Sequence, residues 1–305
     1  VGSTTTNAAD AGPIRVAFAY RPPLAWDALL AFLTPRATPG VEVVSDGAYW
    51  RTVDLNGHRG WVRVWHDSEA SPNAAVQLEA SGSLHRVRMP LADRIRHLFD
   101  LDAEPAAIDA HLRAAGLPVR TRGMRVPGAF DTLELAVRAI LGQQVTVKGA
   151  TTLSARLARA FGEPVEECPH PALTHYTPTA TQLASASTGD IRAIGLPAAR
   201  AQTIAALARA IADGTLSPGP HADVQRFLAQ LQAIPGIGSW TAQYIAMRAL
   251  HAPDAFPASD LALRKAAGNV TERQLRGASE RWRPWRAYAA MHLWQHAARG
   301  TLATW

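Results

Sequence analysis

Asp260 is the residue best placed to do chemistry. It follows a loop containing Pro253 and Pro257 and stands at the start of a helical pattern. A carboxylate fixed in such a place can stabilise positive charge that develops on a substrate, and can orient or deprotonate a water. At about 4 Å and an effective dielectric near 20, the attraction between opposite unit charges is roughly 4 kcal/mol. That corresponds to about three powers of ten in rate, enough for a labile bond such as an N-glycosidic bond, whose cleavage builds positive charge on the sugar. Asp260, or Ser259 beside it, is equally suited to capping the helix, and the two roles are compatible.

Upstream runs Leu231-Gln232-Ala233-Ile234-Pro235-Gly236-Ile237-Gly238-Ser239-Trp240-Thr241-Ala242, flanked by two amphipathic helical patterns. This reads as two helices joined by a hairpin. Glycines allow the tight reversal and let backbone approach a phosphate unobstructed, while Ile237 plugs between the helices. Unpaired N–H groups and the positive end of the second helix then face an anion. Pro235, Gly236, Ile237, Gly238, Ser239 and Thr241 form this grip, which would be indifferent to base sequence and weakened by salt. The alternative, an ordinary turn between helices, fits less well, because Pro-Gly-Ile-Gly precedes Thr-Ala at this spacing.

Other chemistry is poorly served. Cys168 is the only cysteine, which excludes an internal disulfide, a CxxC zinc site and a four-cysteine iron–sulfur cluster. His292 and His296 sit at i, i+4 without a third ligand nearby, so they read as core or surface histidines and metallo-nuclease chemistry is a poor fit. The net charge of +6 suits a polyanionic partner, and it comes almost wholly from arginine, since the only lysines are Lys148 and Lys265. Guanidinium forks suit phosphate, although a genome rich in Arg codons would give the same composition.

These residues need elements to hold them. With 48% apolar and 18% charged residues the chain should fold rather than stay disordered. It has neither a spanning apolar run nor a secretory leader pattern, which gives the expectation of a soluble cytoplasmic protein. Residues 1–13 read as a disordered tail or a cloning remnant. From Ile14 to about Ala80 the pattern is strand-like, at Val16 and Phe18, Val41 to Val44, Tyr49 to Leu55, Trp61 to Trp65 and Ala75 to Leu78. Asn56-Gly57 is a hairpin signal, and Trp26, Leu29, Leu30 and Leu33 mark one helix. Nothing in this unit assembles catalytic residues. After Met89 the periodicity is helical, with Asp131 and Glu134 as a capping box before Leu135 to Phe161. Further helices follow at 180–185, 198–212, 224–232, 239–251, 260–267, 272–281 and 284–299, with Ser217 to Pro220 as a joint.

Hairpin and acid together resemble the helix-hairpin-helix DNA glycosylase superfamily. Asp131 to Gly162, containing Ala139-Ile140-Leu141-Gly142-Gln143-Gln144-Val145, is similar to the bacterial DNA-3-methyladenine glycosylase II family within it. So are Trp282-Arg283-Pro284-Trp285-Arg286 through His292-Leu293-Trp294, Tyr20-Arg21-Pro22-Pro23 with Trp26, and Leu98-Phe99-Asp100-Leu101. The likeness runs from residue 14 to the end. It implies an α+β fold, with a small mixed α/β N-terminal lobe (14–105) before an all-helical core of two domains. One helical domain combines 106–130 with 257–305. The other spans 131–256 and carries the hairpin at 224–251, with the site in the cleft between them.

The same resemblance implies that Asp260 is catalytic and that Trp240, Tyr244 and Trp294 line a base pocket; helical spacing alone would assign Trp240 and Tyr244 to a core. Trp240 stands where strand-cutting relatives carry a Schiff-base lysine, Lys265 is turned away from Asp260 and Lys148 is on another helix. A monofunctional enzyme follows, which releases alkylated purines of the 3-methyladenine and 7-methylguanine type from duplex DNA by base flipping and leaves an abasic site. Gln143 and Gln144 match the wedge segment, with Gln144 where the best-known pattern has Leu. Backbone carbonyls of Gln232, Ile234 and Ile237 correspond to a monovalent-cation site, and no iron–sulfur or zinc cofactor is implied. The expected protein is a monomer at nucleoid DNA. The alternatives are a glycosylase for other damaged or mispaired bases and a noncatalytic DNA-binding hairpin module.

Overall fold

The computed structural model describes residues 12–67, 75–217 and 223–303. Residues 1–11 of the expected tail, and 218–220 of the expected joint, lie outside the described residues. The first lobe is an antiparallel sheet of five strands, β1 (Ile14–Ala19), β2 (Glu42–Ser45), β3 (Ala48–Leu55), β4 (His58–His66) and β5 (Ala75–Ala80), in the order β1-β5-β4-β3-β2. Side chains alternate across a strand. Tyr49 pairs with Val64, which pairs with Leu78, and all three are buried on one face. Trp50, Trp61, Arg63 and Trp65 take the other. Asn56 and Gly57 both have positive φ, 54° and 78°, the turn that matches strand twist. Phe99 joins the sheet to the helices, its ring 5.6 Å from Tyr49 and 5.0 Å from Trp26 on α1 (Trp26–Leu33).

The helical part begins with α2 (Arg88–Leu98) and α3 (Pro105–Ala114), followed by α4 (Thr132–Leu141), α5 (Val147–Phe161), α6 (Ala180–Ser185), α7 (Thr188–Ala193) and α8 (Ala198–Ala212). The hairpin helices α9 (Val224–Gln232) and α10 (Ser239–Ala249) come next, and then α11 (Leu261–Ala266), α12 (Glu272–Ser279) and α13 (Arg286–Ala298). Helix α10 packs on α4 and α9, α4 packs on α8, and α11 packs on α13. One buried apolar cluster runs from Ile14 in the sheet to Ala303 near the end, each large side chain in it contributing about 1.5–3 kcal/mol.

Three local readings change. The run expected from Leu135 to Phe161 is two helices, because Gly142–Thr146 form a turn in which Gln144 has φ 57° and Thr146 caps α5. Only half of the Asp131/Glu134 capping box forms. Asp131 Oδ1 accepts the Glu134 N–H at 3.0 Å, but the Glu134 carboxylate accepts from Arg51 Nη2 at 2.7 Å instead of turning back on the cap. Arg51 is 3% exposed, and a buried cation demands a partner more strongly than a cap N–H does. Helix α7 was not foreseen, since Ile191 is its single buried residue and a lone apolar side chain carries no period.

Candidate active site

Asp260 is the N-cap of α11, and its carboxylate also faces the aromatic cleft. Oδ1 accepts from the Leu263 backbone N–H at 2.9 Å and from Trp294 Nε1 at 3.1 Å, while Oδ2 accepts from Trp240 Nε1 at 2.9 Å. Capping and presentation to the cleft therefore coexist in one side chain. An ionised carboxylate has about four acceptor positions, so three donors leave room for a water. The preceding loop is tied to α10 by the Phe256 N–H, which donates to Gln243 Oε1 at 3.0 Å, and Asp260 is only partly buried.

The aromatic wall is continuous. Trp240 and Tyr244, one turn apart on α10, are stacked with centroids 5.5 Å apart and planes 9° apart. Trp294 from α13 meets Tyr244 edge-on at 6.1 Å. A fourth ring comes from the N-terminal lobe, which the sequence had left without site residues: Phe32 on α1 lies 6.1 Å from Trp294. The signal was legible, because Phe32 is apolar yet off the Trp26–Leu29–Leu30–Leu33 stripe, so it needed a different neighbour.

Behind this wall stand guanidiniums. Arg36 Cζ is 3.8 Å from the Phe32 ring centre, and Arg248 donates from Nη1 to the Tyr244 hydroxyl at 2.8 Å. Burial pushes the Tyr244 phenol up, but Arg248, Arg36 and Arg138 together outweigh it and leave the group below its usual range. Arg248 also donates to the Pro127 and Gly128 carbonyls, at 2.7 and 3.0 Å, which pins the segment before α4 to α10.

In the hairpin, Gly236 has φ 92°, and a Cβ there would lie 2.2 Å from Thr203 Oγ1, so only glycine fits. Thr203 Oγ1 in turn donates to the Pro235 carbonyl at 2.8 Å. Ile237 is 4% exposed and plugs the helix pair as expected. Pro235, Gly236, Gly238 and Ser239 are exposed, and no side chain caps α10, so its first turn of N–H groups faces outward. Thr241 departs from the expected phosphate grip. It is 2% exposed, and its hydroxyl accepts from Gln143 Nε2 at 3.0 Å.

The two glutamines likewise part company. Gln143 turns inward, donating also to the Gly236 carbonyl at 2.9 Å, whereas Gln144 is exposed beside Val145 and Val147, which are 39% and 43% exposed. Gln232 is exposed, and Ile234 is 9% exposed. His292 and His296 lie in the core, at 1% and 3% exposure, and His296 Nδ1 is 3.0 Å from Thr301 Oγ1. Lys148 and Lys265 are exposed. A groove of about 570 Å³ between β3, α2, the start of α4 and the end of α10 is lined by none of the residues around Asp260. Among the described residues, no helix is long and apolar enough to cross a membrane.

Residues 15–131 match the model of the AlkA N-terminal domain, and residues 137–276 match that of the HhH-GPD superfamily of base excision DNA repair proteins. The chain is 36% identical over 275 residues to DNA-3-methyladenine glycosylase 2 of Escherichia coli K12, covering 90% of this chain and 95% of that protein. It is 42% identical over 296 residues to a Mycobacterium tuberculosis protein described as a probable bifunctional transcriptional activator/DNA repair enzyme AlkA. That match covers 94% of this chain but 58% of the relative, so the chain spans little more than half that protein's length. In three dimensions it superposes on the 3-methyladenine DNA-glycosylase of Archaeoglobus fulgidus with a TM-score of 0.78 at 21% identity, covering 95% of this chain and 100% of the other, which establishes the shared fold.

Proposed function

Because this chain belongs to the HhH-GPD superfamily of base excision DNA repair proteins, with an AlkA N-terminal domain, we propose that it is a monofunctional DNA glycosylase for alkylated purines. The observation that carries the reading is the Asp260 carboxylate, held by the indoles of Trp240 and Trp294 at an aromatic cleft. A purine everted from the duplex enters the cleft and stacks on the partly exposed indoles of Trp240 and Trp294, with the buried Tyr244 and Phe32 rings backing them. As its bond to deoxyribose lengthens, positive charge grows on the sugar and Asp260 stabilises it. A water oriented by the free acceptor position of Asp260 completes hydrolysis. The positive charge that alkylation puts on the purine ring already weakens the bond, so the roughly three powers of ten that one carboxylate supplies go far.

The residues around the acid support hydrolysis without strand cleavage. Trp240 occupies the second position of α10, and the exposed Lys265 and Lys148 belong to other helices. The DNA backbone is held at the hairpin by N–H groups of Gly238, Ser239 and their neighbours, with Gln144 filling the space the base vacates. The carbonyls of Gln232, Ile234 and Ile237 run from the end of α9 through the turn to the start of α10, and as neutral oxygen donors they would suit a hard monovalent cation; the cation would brace the turn against phosphate. The protein works as a monomer in the cytoplasm, on nucleoid DNA.

Release of free base from methylated duplex DNA by the wild type and by Asp260→Asn tests the reading. The variant should bind DNA normally and lose base release. Release at the wild-type rate by Asp260→Asn, or none by either protein, would refute it, and strand scission without added alkali would refute the hydrolytic assignment.

A further inference from the structure

The turn that carries Gln144 is under strain. Gln144 has φ 57°, a left-handed backbone that a residue with a side chain keeps only where its surroundings over-determine it. Two groups do so. Arg200, from α8, donates from Nη2 to the Gln143 carbonyl at 2.8 Å, which fixes the peptide leading into Gln144. The Gln143 amide donates to the Gly236 carbonyl in the hairpin at 2.9 Å and to Thr241 Oγ1 at 3.0 Å. Thr241 is adjacent to Trp240, which donates to Asp260. A single turn of α10 thus supports the Gln144 loop on one side and the acid on the other. The exposed tip of that loop bears Gln144, Val145 and Val147.

We infer that Gln143 is a positioning residue rather than a wedge: its amide locks the strained Gln144 turn onto the first turn of α10, so that nucleotide eversion and bond cleavage are performed by one rigid unit. This rests on the glycosylase reading. Without the lock, Gln144 relaxes out of its left-handed conformation, and the penalty falls on the step that needs a wedge. A lesion that is already unpaired needs none.

Two nearly isosteric substitutions separate this role from a merely structural one. Gln143→Glu places an oxygen against the Gly236 carbonyl, and Thr241→Val removes the hydroxyl without changing shape. The probe is 7-methylguanine opposite cytosine in a duplex, compared with the same lesion in a single-nucleotide bulge, under single turnover. Each variant should slow release from the paired lesion about 10- to 100-fold and from the bulge by less than about threefold. The double variant should be no slower than the worse single, since the contact that Thr241→Val removes is one of the two that Gln143→Glu removes. Fluorescence of 2-aminopurine beside the lesion should report the same loss of eversion. Equal losses on both substrates, or wild-type rates in both variants, would overturn the inference while leaving the glycosylase assignment intact. Failure of the wild type itself to release base would overturn both.

Discussion

Trp240 and Asp260 are joined by one hydrogen bond of 2.9 Å, from indole Nε1 to carboxylate Oδ2, so the ring that lines the cleft also aims the acid. Trp240→Phe keeps an aromatic ring and removes the donor. A hydrogen bond to a charged group is worth about 1.5–3 kcal/mol, and water can replace part of it at a half-exposed site, so single-turnover base release should fall about tenfold. Affinity for a duplex with an abasic analogue should change little. An unchanged rate would mean that Trp240 acts by stacking alone.

The two hairpin glycines should differ in what they do for stability. Gly236→Ala forces a Cβ to within 2.2 Å of Thr203 Oγ1 at φ 92°, so the variant should lose stability, by about 2 kcal/mol or more, along with DNA binding. Gly238→Ala has φ −84° and meets nothing within 4 Å, so its thermal midpoint should hold. Its methyl group would nevertheless project from the exposed turn where the phosphate grip is proposed. Titrations of undamaged duplex at several salt concentrations should show weaker binding for both variants, with a melting shift for Gly236→Ala only.

Arg248→Met should destabilise the fold by about 2–4 kcal/mol, because the Pro127 and Gly128 carbonyls and the Tyr244 hydroxyl each lose a buried donor. Urea unfolding measures this directly. A loss below about 0.5 kcal/mol, the range of ordinary surface changes, would show that the clamp is dispensable.

Acid should destabilise the protein. Burial pushes His292, His97 and His251 down to about 4, from an ordinary 6.5. The unfolded chain takes up these protons below 6.5 and the folded chain does not, so their contribution is complete above 6.5 and is lost as pH falls toward 4. Asp100, pushed up to about 6 by burial, has the opposite sign: its folded carboxyl takes up a proton before the unfolded one does, which favours the fold as pH falls. Burial raises Asp109 and Glu134 as well, with the sign of Asp100, and lowers His66, with the sign of the other imidazoles; the imidazoles should outweigh the carboxyls. His292 is 1% exposed, with neither ring nitrogen hydrogen-bonded, so His292→Leu should flatten the acid limb. Melting temperatures from pH 7 to 5 should show the variant gaining on the wild type at each step. A constant difference would contradict this assignment.

What the sequence determined on its own is local or rests on strong residue-type constraints. The Asn56-Gly57 turn needs two positive φ angles, the hairpin reversal at Gly236 needs another, and alternation or helical periodicity marks the strands and most helices. Asp260 stood out because a helix start and a carboxylate coincide there, and the structure shows that one side chain caps and faces the cleft at once. Only tertiary structure could decide the rest, because those side chains choose among partners distant in the chain. Glu134 leaves its own helix cap for Arg51, Phe32 crosses from the first lobe to Trp294, and Gln143 and Gln144, identical and adjacent, face opposite ways. Residue type fixes what a group can bond. Which bond it makes depends on the burial and charge that the assembled fold places beside it.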